Sequence, residues 1–173
     1  MRELGRQLAA IDPRDAHALS HVYQAEHPRL DILVGCISAG TVDAIAVTWL
    51  LKHALEQGEQ LSGPLTNRLI AALRDDGAWE AELNICQSVR RMKIDPSQAR
   101  TLANWLRKRL AHERAFVRAW SLDAQCALAR ANHRYRRAAD EALSEADADP
   151  AASVRARVRY LKKALSSEAH GCG

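Results

Sequence analysis

No stretch of this sequence approaches the roughly 18 to 20 consecutive apolar residues that a membrane-crossing helix requires, so no membrane partner is expected. Aromatic residues are scarce at 5%, and Val, Ile and Thr are sparse as well. A chain short of aromatic and β-branched side chains has little from which to build strands. Helix breakers are also few, with eight Gly and five Pro in 173 residues. The four cysteines (Cys36, Cys86, Cys126 and Cys172) form no CxxC pair, which removes the commonest zinc and redox spacings. GxxxxGK[ST], GxGxxG and GxSxG are missing too, so there is no phosphate cradle and no nucleophile elbow to argue from. No cofactor, no metal and no catalytic residue is expected.

The N-terminal Met1-Arg2-Glu3-Leu4-Gly5-Arg6 lacks the apolar segment of an export signal, and a cytoplasmic address with reduced thiols follows as the expectation. Cys36, Cys86 and Cys126 fall in predicted helices and read as buried small apolar residues. Cys172, in a Gly-Cys-Gly tail, reads as exposed.

What the chain has in quantity is alanine, 32 residues of 173. With Leu, Arg and Glu it makes a composition that loses little conformational freedom on becoming helical. The length suits one domain with a real core. Sliding the sequence against itself exposes a period. Val42-Asp43-Ala44, Trp79-Glu80-Ala81, Val117-Arg118-Ala119 and Val154-Arg155-Ala156 stand 37, 38 and 37 residues apart. Ile32, Leu69, Leu106 and Leu143 keep the same period independently. The period predicts an all-α fold of about four helix pairs plus an N-terminal helix over 14–26. First helices are expected near 28–38, 64–74, 97–110 and 134–147. Second helices are expected near 41–56, 78–93, 115–130 and 152–165. The units are then about 28–58, 64–95, 97–131 and 134–165 within a single domain, 1–165, and 166–173 is expected to be a flexible tail. The last helix is the clearest, because Val154, Val158, Leu161 and Leu165 form one stripe and five cations lie off it.

Asp149-Pro150-Ala151-Ala152-Ser153-Val154-Arg155-Ala156 resembles the loop and second-helix start of HEAT repeats, and Phe116-Val117-Arg118-Ala119 repeats the element. Residues 28–165 resemble bacterial HEAT-like repeat proteins of unassigned function. The resemblance implies a right-handed alpha-alpha superhelix, a HEAT-like α-solenoid, serving as a protein-binding scaffold. The first two units depart from the motif, with Asp43 and Glu80 in the arginine position.

The charge is unevenly placed. Residues 100–163 hold fifteen Lys/Arg against seven Asp/Glu, and the remainder holds ten against fourteen. A polyanionic partner would meet the C-terminal half; a merely solvated arginine-rich surface would look the same. Trp79 and Trp49 read as core by register, and Trp105 as either core or surface. Trp120 aligns with Ile45, Glu82 and Arg157, so it need not be buried. Trp120 and Arg157 should be neighbours on adjacent second helices, either as a cation–π or hot-spot pair or as a half-buried Trp under an arginine stem. Glu80 is expected to face Arg118 across the stack, and Arg155, with no unit beyond it, to be free.

The candidate partner-binding set is therefore Arg118, Trp120, Arg155, Arg157 and Arg159, facing a peptide or acidic protein surface. The rival is nucleic-acid binding, or further off a HEAT-like DNA alkylpurine glycosylase using Trp120 and Asp123. The chain is short for that enzyme class, and only half of it is basic. His17 and His21 stand i, i+4, but two ligands do not make a metal site. The remaining histidines read as isolated, and Ser38-Ala39-Gly40-Thr41 as a loop whose Ser or Thr caps the next helix.

Overall fold

A computed structural model describes residues 2–170, with side chains described from 3 to 167. The described residues form ten α-helices: α1 (Arg2–Ala9), α2 (Ala16–Glu26), α3 (Leu30–Ala39), α4 (Ala44–Glu56), α5 (Gly63–Ala71), α6 (Trp79–Ser88), α7 (Pro96–Leu110), α8 (Ala115–Ala131), α9 (Arg136–Glu145) and α10 (Ala152–His170). Among the described residues there is no strand. No helix there is long and apolar enough to cross a membrane.

Aspartates set several helix starts. Asp15 accepts from the backbone N–H groups of His17 and Ala18, Asp43 from Ile45 and Ala46, and Asp95 from Ser97. Each satisfies donors that the first helical turn leaves free. The cap before α4 is thus Asp43, not Ser38 or Thr41; the Ser38 hydroxyl donates to the Val34 carbonyl inside α3 instead. The chain turns out of α3 at Gly40 and passes Gly58 after α4, at φ 62° and 97°, conformations that cost a side chain dearly.

Helices α2, α4, α6, α8 and α10 pack each on the next in one long row. Helices α3, α5 and α7 make a shorter row beside it, α3 against α4 and α7 against α8, while α9 packs on α8. Helix α1 adds an element the sequence pattern does not disclose. Its Leu4 and Leu8 are buried at the end of the stack, and it packs on α2. At the other end α10 continues to His170, past Leu165, and residues 171–173, including Cys172, lie outside the described residues.

Periodic columns become the core. Leu69, Leu106 and Leu143 are buried, as are Leu102 and Ala139 four residues before two of them, while Ile32 and Leu65 of the same columns are half-buried at the core's edge. The Val-Arg-Ala column behaves less uniformly. Val117 and Val154 are fully buried, whereas Val42 and Trp79 are half-buried. Trp79 stands at the first residue of α6 and Val42 before the Asp43 cap, too early in their helices to reach the core. Trp49 is also half-buried at the core's margin, and Trp105 is buried.

The apolar side chains divide into two clusters that meet at α8. One runs from Leu4 to Leu128; the other joins Ala119, Leu122 and Cys126 of α8 to α9 and to Val154, Val158 and Leu161 of α10.

Cys36, Cys86 and Cys126 are free and buried, as the helical register predicts. Burial pushes the Cys86 thiol up to about 12 and the Cys126 thiol to about 11. Since the thiolate is the reactive form, iodoacetamide near pH 8 should leave these cysteines unlabelled in the native chain and label them in urea. Peptide mass spectrometry reads this out residue by residue, and rapid native labelling of Cys86 would contradict the burial.

Candidate partner-binding groove

The two arginines of the Val-Arg element turn inward. The Arg118 guanidinium forms a two-pronged pair with Asp149, Nε and Nη2 each 2.8 Å from a carboxylate oxygen. Its Nη1 donates to the carbonyls of His112 and Glu113, six and five residues upstream. Arg155 repeats that move: its Nη1 donates to the carbonyls of Asp149 and Pro150, again six and five residues upstream. In both units the arginine therefore ties a helix to the loop that precedes it. The hydrogen bonds from Arg118 hold the Asp149 carboxyl below the usual carboxylate range.

These contacts correct the expected ladder. Glu80 does not face Arg118; its carboxylate takes Arg14, Nε to Oε1 2.7 Å. Asp43 is occupied as a cap, and Arg155 is not free. Arg118 thus spends its donors inside the fold, and Arg155 its Nη1.

Trp120 and Arg157 do meet, as register places them on adjacent helices of the row. The Arg157 guanidinium carbon lies 3.9 Å from the centroid of the half-buried Trp120 ring. Asp123, only 4% exposed, holds that guanidinium from the side, 3.2 Å from Nη1. An arginine stacked on an indole and anchored by a carboxylate is a fixed element of surface rather than a mobile charge. Glu82 shows that register has limits, because the residue aligned with Trp120 on α6 is buried.

Two aromatic residues that the sequence reading passed over complete the surface. Phe116 is 61% exposed and Tyr160 is 59% exposed, the exposed large apolar side chains among the described residues. Both line one open groove of about 420 Å³ between α8 and α10, with Trp120 and Arg157, and with Ala119, Ser153 and Ala156 as its small members. Phe116 stands one helical turn before Trp120, and Tyr160 nearly one turn after Arg157, so each pair shares a helix face. Arg159 is exposed next to Tyr160 in sequence.

Elsewhere, His53 is not isolated. It stacks on Trp49 with centroids 4.8 Å apart and meets the Tyr23 ring edge-on. Burial and the Glu59 carboxylate, which accepts from the Tyr23 hydroxyl at 2.6 Å, push the Tyr23 phenol up to about 12. The His17 and His21 rings lie edge to face at 4.5 Å. No group of three or more His, Cys, Asp or Glu side chains that could hold a metal occurs among the described residues.

Compared with family models, curated proteins and solved structures, the chain matches none of them.

Proposed function

We propose that this chain is a cytoplasmic, non-enzymatic protein-interaction scaffold of HEAT-like build, and that it holds a peptide segment of its partner in the groove between α8 and α10. The observation that carries this reading is the convergence of Phe116 and Tyr160 on one groove beside Trp120. Large apolar side chains left in water together along one groove are the kind of surface that a partner covers. Aromatic and arginine side chains are the residue types that dominate interface energetics. Trp120, Arg157 and Arg159 stay in the proposed site, Phe116 and Tyr160 join it, and Arg118 and Arg155 become its supports. The groove has no free carboxylate to serve excision chemistry, since Asp123 is buried against Arg157, which favours binding over a glycosylase.

The test is affinity selection of a random peptide library on the full chain. Selected peptides should bind about 30-fold more weakly to Phe116→Ala and Tyr160→Ala variants, the size of a hot-spot loss near 2 kcal/mol. Both side chains are exposed, so thermal melts should be unaltered. Binding to single-stranded oligonucleotides through the same two residues, with steep salt dependence, would replace the peptide reading with the nucleic-acid one.

A further inference from the structure

Of the arginines expected to receive an acidic partner, Arg118 and Arg157 are each paired with a carboxylate and Arg155 is turned to its own loop carbonyls, which leaves Arg159 and calls for charge complementarity from elsewhere. It is supplied by the neighbouring helix. Where α6 ends in a short 3-10 turn (Val89–Arg91), Arg90, Arg91 and then Lys93 face the loop after α4 across an open pocket of about 380 Å³. The carboxylate in that lining, Glu59, is bonded to the Tyr23 hydroxyl. Among the described residues no hydrogen bond or ion pair engages Arg90 or Lys93, and both are exposed. Arg91 is half-buried with its Nη1 enclosed and without a hydrogen-bond partner, a condition that buried polar groups seldom tolerate. Cations near a helix C-terminus ordinarily answer the last carbonyls. Arg90 does not: its guanidinium reaches the Trp120 ring instead, 5.4 Å from the centroid.

That last contact joins the two depressions. Trp120 lines the α8–α10 groove and Arg90 lines the pocket beside it, so cationic pocket and aromatic groove form one strip across α6, α8 and α10. We infer that the strip reads a two-part peptide: an apolar anchor seated among Phe116, Trp120 and Tyr160, and an acidic stretch next to it lying against Arg90, Arg91 and Lys93. The inference rests on the α8–α10 groove being the peptide site and adds the partner's chemistry and the direction in which it leaves the groove. The anchor contributes contact area. The acidic stretch contributes steering and register, because exposed charges act chiefly on association and are screened by salt.

Peptides selected on the full chain should carry an aromatic or aliphatic anchor with two or more Asp or Glu on one side of it. The tightest of them should bind the Arg90→Glu/Lys93→Glu variant at least tenfold more weakly at about 50 mM salt and nearly equally at about 0.5 M, where the screening length falls to a few ångströms. The Phe116→Ala loss should persist at both salt concentrations. Selected peptides without acidic bias, or an unchanged affinity for the charge-reversed variant, would overturn the two-part code while leaving the groove in place. Peptides indifferent to Phe116 and Tyr160 would overturn the groove as well. An oligo(U) probe that outcompetes the peptides and loses binding on charge reversal would overturn the acidic-peptide occupant in favour of RNA.

Discussion

Arg109→Met should lower the unfolding free energy by about 3–5 kcal/mol, the cost of leaving one member of a buried ion pair uncompensated. Arg109 is 3% exposed and Glu82, its partner across from α7 to α6, is 6% exposed. The guanidinium also donates to the Arg74 carbonyl at 2.7 Å and to Asp75 at 2.8 Å, and it lies 4.1 Å from the Trp105 ring centroid. The Trp105 indole N–H donates to the same Arg74 carbonyl. One side chain therefore fastens α6, α7 and the loop before α6. Once it is gone, Glu82 retains only His112, 3.7 Å away, in a site too dry for a lone carboxylate. Against the 5–15 kcal/mol typical of a small domain the loss is large. Pairing Arg109→Met with Glu82→Leu should recover most of it, because an apolar pair of similar size needs no compensation. Urea titrations of the wild type, both single variants and the double variant give the coupling directly. A loss below about 1 kcal/mol for Arg109→Met would mean that the pair is not structurally important.

Arg109 also shows how sequence reading can miss a buried charge. It closes the run Arg107-Lys108-Arg109 at the end of α7, where a solvated cationic end is the default. Yet it lies on the stripe of Ala99, Leu102 and Leu106, which are buried, while Arg107 and Lys108 are off it and exposed. The stripe was a usable signal for its burial. Its partner was not legible, since nothing in the spacing of α6 sets Glu82 apart from Glu80.

The same division runs through the molecule. The pairing of α3 with α4 and of α7 with α8 was legible in the apolar period, and the Trp120–Arg157 contact followed from that register alone, whereas α5 packs chiefly on α3 and α7, and α9 on α8. Polar contacts repeat only in part: Arg118 and Arg155 make the same tie to their preceding loops, but Asp43 caps, Glu80 takes Arg14, and Arg118 takes Asp149. A ladder drawn from one column of charges therefore failed. Helix α1 escaped because eight residues offer barely two helical turns. Phe116 and Tyr160 could have been found. Phe116 shares its column with Thr41, Ala78 and Ser153, and a lone large apolar residue in a column of small ones is conspicuous. The residues aligned with Tyr160 (Thr48, Ile85 and Asp123) are all buried. Tyr160 is exposed because, among the described residues, no further helix packs on the far side of α10.

The end of the row is also where the fold should open first. The second apolar cluster holds Ala119, Ala129, Ala139 and Ala142 among its ten buried members, and small side chains bury little area. Helices α9 and α10 reach the remainder chiefly through α8. In a stack held by nearest-neighbour contacts, a terminal unit with a thin core unfolds on its own. The Arg118–Asp149 pair is one polar tie across that junction, beside Arg157–Asp123, with both side chains largely buried at 15% and 12% exposure. Asp149→Asn keeps an acceptor for the Ala151 N–H but loses the charge, and should cost the last unit about 1.5–3 kcal/mol, the range for a hydrogen bond to a charged group. Native-state hydrogen exchange should then quicken by about 10- to 150-fold in α9 and α10 while α3 to α7 keep their protection. Acid provides an independent check with a fixed sign. The folded Asp149 pKa is depressed, so its contribution is complete above the unfolded carboxylate value near 3.9 and disappears as pH falls through the lower folded value. Wild-type α9 and α10 should consequently lose protection ahead of the other helices below about pH 4, and Asp149→Asn should remove that part of the pH dependence. Equal acceleration in all ten helices would instead mean one cooperative unit, with the two apolar clusters folding as a single core.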